Sequence, residues 1–255
     1  MTAPINWQQF GLKSNPYDTL PLVEGGELAL EEAFVGREKE REFLDGLFDS
    51  EDRVCLTVCG DVGVGKTSLA NVQKYEWKYR KPKLLFSFRR EIEACDDVLS
   101  KRGFITEILA SVVREIKLLE PSLLKEEVLM KVVSILDVSQ NISISGGISA
   151  SYMGNGASVE FARAHSASQP LQISTAVLEE YLRELLDFVR TTPIRGFSYS
   201  GLVVHMNNFD VVLAERDGLE RTIRFFNEVR DILQTRHLYF LFLGPRNLFK
   251  EVISA

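Results

Sequence analysis

The sequence predicts an α/β fold in which a parallel sheet is covered by helices on both faces. Three observations carry this expectation. Short apolar runs alternate along the chain with longer stretches whose apolar residues recur at helical spacing. The runs at 84–88, 201–206 and 238–243 are nearly continuous in their apolar character, as strands buried on both faces are. A glycine-rich turn, Gly60-Asp61-Val62-Gly63-Val64-Gly65-Lys66-Thr67, joins the first apolar run to the first long helix of the core.

Taken in order, residues 1–33 carry Asn15-Pro16-Tyr17, Leu20-Pro21 and Gly25-Gly26, punctuation that suits an extended arm lying on a domain. From 37 to about 49, Phe43, Leu44, Leu47 and Phe48 mark an amphipathic helix. The run 53–59 is the first strand, and a helix is expected from Lys66 to about Arg80. A strand at 84–88 follows, then helices from near Asp97 to Leu119 and from Ser122 to about Asp137, separated by Pro121. Between 141 and 168 the character changes. Ile142, Ile144 and Ile148 alternate with Ser and Gly, and Gly154-Asn155-Gly156 precedes Ser158-Val159-Glu160-Phe161, which predicts a β-hairpin inserted into the α/β framework. Ser174 or Thr175 can cap a helix reaching Arg190 with Leu178, Leu182, Leu185, Leu186 and Val189 on its apolar face. After the strand at 201–206, a helix from 218 to 236 shows Leu219, Ile223, Phe226, Val229 and Leu233, and 238–243 is the last strand.

A chain of 255 residues with 45% hydrophobic content can bury a core of its own, and one domain with an insertion is the simplest organisation. The extended arm would occupy 1–33, and the core 34–255 with its insertion at 141–168. A net charge of −6 argues against a surface that clings everywhere to nucleic acid, while leaving room for a local basic patch. The N-terminus lacks a basic start followed by an apolar run, and no stretch approaches the roughly 20 apolar residues that span a bilayer. A soluble, cytoplasmic protein is expected. Cys55 and Cys59 would stand about 13 Å apart on one strand at ~3.3 Å per residue, beyond disulfide reach. They read as small core residues, Cys95 as unpaired, and the spacing of the three predicts no zinc site.

The chemistry lies in the glycine-rich turn. A polyphosphate needs a dense set of donors, and backbone N–H groups converge only where side chains do not obstruct them. Gly60, Gly63 and Gly65 meet that need, with Asp61, Val62 and Val64 between them. The helix after the turn adds the positive end of its dipole. The Lys66 ammonium should reach the β- and γ-phosphates, and the Thr67 hydroxyl should coordinate Mg²⁺. The turn therefore predicts a nucleoside triphosphate site, with ATP and Mg²⁺ as the ligands.

Phe34-Val35-Gly36-Arg37-Glu38, then an amphipathic helix, then this P-loop resembles the start of the AAA+ and signal-transducing (STAND) ATPases, especially their initiator, origin-recognition-like branch. Asn15-Pro16-Tyr17 suits the same branch. The resemblance implies a three-layer, parallel-sheet P-loop NTPase core, with Phe34, Val35 and Gly36 framing the adenine. It also implies an acidic Walker B motif at the end of an apolar strand. Here that strand reads Leu202-Val203-Val204-His205-Met206-Asn207-Asn208-Phe209-Asp210, with Asn207 and Asn208 where the two carboxylates are expected. An amide can accept a hydrogen bond from a metal-bound water, but it carries no charge and cannot act as a base. Three readings stay open: a site slow in hydrolysis, a shifted motif in which Asp210 supplies the charge to the metal, and a variant that uses Asn207 and Asn208. The pair could also cap the turn after the strand. His205 reads as a satisfied core histidine. Arg246 or Asn247, after the last strand, would be the γ-phosphate sensor. No helical lid follows before Ala255, which implies a fragment or a chain that needs partners.

Lys74, Lys78, Arg80, Lys81, Lys83, Arg89 and Arg90, interleaved with Tyr75, Trp77 and Tyr79, read either as a solvated helix end or as a patch for nucleic acid or an acidic partner. Arg89, Arg90, Arg195 and Arg230 are candidates for an arginine finger on a neighbouring subunit's γ-phosphate. Tyr152 and Met153 at the hairpin tip read as an assembly contact or an ordinary surface loop. Together these features imply an ATPase that couples ATP binding, and slow hydrolysis, to assembly or conformational switching as a homo-oligomer or on a larger complex, with DNA reached through a partner or a further domain. The rival is a nucleotide-gated interaction module without meaningful turnover. A small-molecule kinase would not need the 34–38 segment.

Overall fold

The computed structural model describes residues 22–24, 30, 34–50, 53–143, 173–246 and 248, with backbone alone at 50 and 137–143. Most of the expected N-terminal arm, the part of the expected hairpin beyond residue 143 with Tyr152 and Met153, and Asn247 lie outside the described residues. The elements in order are α1 (Glu38–Ser50), β1 (Cys55–Cys59), α2 (Lys66–Tyr79), β2 (Phe86–Ser87), β3 (Ile92–Glu93), α3 (Lys101–Leu119), a 3₁₀ turn (Pro121–Lys125), α4 (Glu127–Ser143), α5 (Thr175–Thr191), β4 (Leu202–Asn207), α6 (Phe209–Leu213), α7 (Gly218–Glu228), α8 (Arg230–Leu233) and β5 (Leu238–Gly244). Among the described residues no helix is long and apolar enough to cross a membrane.

The fold is α/β, built on a five-stranded sheet in the order β1-β5-β4-β2, with β3 also paired to β4 and every pairing parallel. β5 is buried along its whole length. Its side chains alternate between two cores, as a strand's period of two requires. Leu238, Phe240 and Phe242 join the large cluster formed with α3, α4 and α5, while Tyr239, Leu241 and Leu243 face α1 and α2. Helices therefore cover both faces. On the α1 and α2 side, Phe48 stacks on Trp77 at 4.1 Å and on Tyr239 at 5.3 Å between ring centroids. Asp45 of α1 accepts from Trp77 Nε1 at 2.8 Å and from Gln73 Nε2 at 2.5 Å, which ties α1 to α2.

The structure corrects several expectations. Among the described residues, the strand expected at 84–88 is an interrupted edge. Ser87 pairs with Val203 and Ile92 with Met206, so the chain uses more residues than its partner between the two pieces and must loop outward there. α4 continues through Ser143, so Asn141 and Ile142 are helical where a hairpin was expected to begin. The helix expected over 218–236 is broken into α7 and α8, and its buried line is Gly218, Thr222, Phe225, Val229 and Ile232, mostly one position away from the expected face. Gly218 and Thr222 are buried without being strongly apolar, and the Thr222 hydroxyl donates to the Gly218 carbonyl at 2.7 Å. Cys55 is exposed and Cys59 half-buried, because β1 pairs with β5 along one side only among the described strands.

Two lysines of the basic run after the glycine-rich turn lie inside the protein, while Arg80 and Arg90 are exposed. Lys74 and Lys78 are 4% and 0% exposed. Lys78 Nζ lies 2.7 Å from Glu115 Oε1 of α3, and Lys74 Nζ donates to the Phe88 carbonyl at 3.1 Å. Arg89 Nε lies 3.4 Å from Glu24 and 3.5 Å from Glu115, and the Arg89 N–H donates to Glu115 Oε2 at 3.0 Å. Lys74 and Glu115 thus hold the backbone of the looped segment between β2 and β3. His205 is fully buried, as expected of a core residue, but it is not satisfied: neither ring nitrogen has a partner among the described residues. Burial, reinforced by Lys74, holds its pKa well below the usual histidine range.

Two predictions follow from the packing. Gly103→Ala would raise helix propensity, yet its Cβ would run into the Asp97 backbone carbonyl. The substitution should lower unfolding free energy by about 1–3 kcal/mol in urea titration. Burial lowers the Lys74 pKa from 10.5 to about 7, so between those values the unfolded chain holds a proton that the native chain has shed. Stability should therefore rise from pH 7 towards pH 10, by up to about 1.4 kcal/mol per unit. Lys74→Met should remove that component of the slope, read as the shift in urea midpoint between pH 7 and pH 9.

Candidate functional site

Parallel strands end on one side of the sheet, and the C-terminal ends of β1, β5 and β4 converge there. The loop of residues 60–65 leaves β1 at that edge. Gly60 N–H donates to the Gly244 carbonyl at 3.2 Å, anchoring the loop to the end of β5. Gly63 and Gly65 have φ of 80° and 83°, which favours glycine at both positions. Gly65 is the N-cap of α2 and has no side chain to offer, so the first turn of α2 opens into the loop without a side-chain cap. This end of the helix carries the positive end of its dipole. The loop is exposed from Asp61 to Val64.

Cations gather on this loop. Lys66 Nζ donates to the carbonyls of Gly60 at 2.9 Å and Asp61 at 3.0 Å. Arg246 Nη2 lies 3.1 Å from Asp61 Oδ2, bringing the second residue after the last strand onto the loop. Arg37, at φ 60° next to Gly36 at φ 90°, donates from Nη2 to the Val64 carbonyl. Of the 34–38 segment it is therefore Arg37 that touches the loop. Val35 is 88% exposed, and Phe34 is half-buried with its N–H bonded to the Leu30 carbonyl at 3.1 Å.

At the end of β4 the two asparagines separate. Asn207 Nδ2 donates to Thr67 Oγ1 at 3.1 Å across the crevice. Asn208 instead adopts left-handed backbone, φ 68° and ψ 20°, as the N-cap of α6, and its side chain makes no cap hydrogen bond. Asparagine tolerates this conformation better than most residues, which accounts for the second Asn. Asp210 sits exposed in the first turn of α6, a helix the sequence did not reveal, and no contact joins it to Thr67 among the described residues.

For a hard cation such as Mg²⁺, the fitting donor is the Thr67 hydroxyl, with the Asn207 amide beside it as a partner for a metal-bound water. Among the described residues no group of three or more His, Cys, Asp or Glu could hold a metal by itself. Mg²⁺ in such a setting takes much of its coordination from phosphate oxygens and water. Arg89 is engaged internally with Glu24 and Glu115, whereas Arg90, Arg195 and Arg230 are exposed.

Sequence reasoning missed two residues. Arg37 belongs to a segment read only for base contacts, and Glu93 pairs in register with Asn207 from a strand too short to show a pattern. No protein-family profile matches this chain, and no curated protein matches it significantly.

The left-handed backbone yields a test. Asn208→Gly should leave stability nearly unchanged, whereas Asn208→Val should cost at least about 1–2 kcal/mol, measured by urea unfolding.

Proposed function

We propose that this chain is a P-loop ATPase of the AAA+/STAND kind, binding ATP with Mg²⁺ in the crevice at the ends of β1, β5 and β4. ATP binding, with slow hydrolysis, would drive assembly or a conformational switch on a larger target such as a DNA complex. The observation that carries the reading is the loop itself. Two left-handed glycines and an uncapped helix start converge at one point, and Lys66 stands over the same loop. Such a constellation stabilises a polyphosphate through backbone donors, a helix dipole and one mobile ammonium. The contact between Asn207 and Thr67 suits the metal side of the site, and Arg246 suits a sensor because it already touches the loop through Asp61.

Lys66 is bonded to the carbonyls of Gly60 and Asp61, so a triphosphate must draw it away from them. The exchange is favourable because an ammonium–phosphate hydrogen bond is charged on both sides. A second reading, a nucleotide-gated interaction module without turnover, draws on the amides at the end of β4, which offer no carboxylate.

Titration with a fluorescent ATP analogue tests the proposal. The native chain should bind in the presence of Mg²⁺, and Lys66→Ala should weaken binding at least about tenfold, the loss of one charge-assisted contact of roughly 1.5–3 kcal/mol. Equal affinity of the two proteins would sink the P-loop reading. Phosphate release above the Lys66→Ala background favours the ATPase over the gated module.

A further inference from the structure

The end of β4 lacks a carboxylate, but the strand beside it does not. Ile92 pairs with Met206 and Glu93 with Asn207, in parallel register. Ile92 and Met206 both belong to the large core on the α3 and α5 face. Successive residues of a strand point to opposite faces. Glu93 and Asn207 therefore project together to the α2 face, where Asn207 meets Thr67 at 3.1 Å. Adjacent strands lie about 4.8 Å apart, so Glu93 stands one strand spacing from the residue that touches Thr67.

Its backbone is fixed on both sides, by the Ile92 pairing and by the Ala94 N–H, which donates to the Asn207 carbonyl at 2.8 Å. Its side chain is exposed, and among the described residues the carboxylate has no hydrogen-bond or ion-pair partner. The looped segment ahead of it is held by Lys74 on the Phe88 carbonyl and by Glu115 on the Arg89 N–H. A free carboxylate on a pinned backbone at the mouth of the crevice is what a water-activating base requires.

We propose that Glu93 supplies the carboxylate missing from the end of β4 and acts as the general base for ATP hydrolysis, an assignment that rests on the P-loop reading above. A water attacks the γ-phosphorus, and its proton passes to the Glu93 carboxylate as the new P–O bond forms. The bond from the γ-phosphorus to the β,γ-bridging oxygen breaks, and ADP leaves with that electron pair. Glu93 then returns the proton to solvent. Asn207 orients water beside Thr67 without taking a proton, so the usual division of labour along one strand is spread over two.

The test compares the full chain with Glu93→Gln and Lys66→Ala in ATP binding, in phosphate release, and in the nucleotide recovered from the protein after incubation with ATP and gel filtration. Glu93→Gln changes one exposed atom, and its circular dichroism should match that of the native chain. Expected are an ATP affinity within about threefold of native, phosphate release lowered roughly 100-fold or more, and recovery of ATP where the native chain yields ADP. Unchanged phosphate release in Glu93→Gln overturns the assignment and leaves the P-loop reading standing. A native chain that binds ATP without releasing phosphate does the same. A native chain that does not bind ATP overturns the P-loop reading itself, and the Glu93 assignment falls with it.

Discussion

β5 hydrogen-bonds to β1 on one side and to β4 on the other, both in parallel. A parallel ladder forces its strands to finish on the same edge, and a strand buried on both faces leaves little freedom to shift register, because a slip of one residue would exchange its two cores. Tyr239, Leu241 and Leu243 cannot trade places with Phe240 and Phe242 without losing the stack on Phe48 and the ring contacts of the opposite core. The crevice inherits this constraint. Gly60 is tied to Gly244, Arg246 follows after Pro245, and Asn207 ends the strand on the other flank.

α2 links this edge to the interior. Its first turn opens to the loop, while its later turns bury Lys74, Lys78 and Trp77. A buried lysine is costly unless its charge is paired or its proton lost. Lys78 takes the first course against Glu115 and Lys74 moves toward the second. Lys74 and Glu115 do more than tolerate burial. They satisfy backbone groups in the segment that leaves the sheet after β2, and so determine where the chain rejoins at β3.

Much of the architecture was legible in the sequence. β1, β4 and β5 are apolar runs, α5 has a clean heptad-like face, and the glycine-rich loop names its own position. What was not legible has physical causes. β3 is too short for any period to show, and its place comes from hydrogen bonds to a strand more than a hundred positions later. Lys74 and Lys78 read as solvated because their partners, Phe88 and Glu115, lie outside any local window. The buried line of α7 was misplaced because Gly218 and Thr222 are buried for close approach rather than for apolarity. At the candidate site, the loop residues, Asn207 and Arg246 were found from sequence, but the separate reasons for Asn207 and Asn208 needed backbone angles.

The break between β2 and β3 also bears on how the chain behaves in a crowd. An unbroken strand across 86–93 would offer a straight row of unpaired backbone groups on its outer side, a template on which a second chain could add. Two short pieces separated by an outward loop, with exposed Arg90 and Glu93 along them, deny a stranger the length of flat edge it needs. The same irregularity that sets Glu93 beside Asn207 thus guards this edge of the sheet against sideways growth.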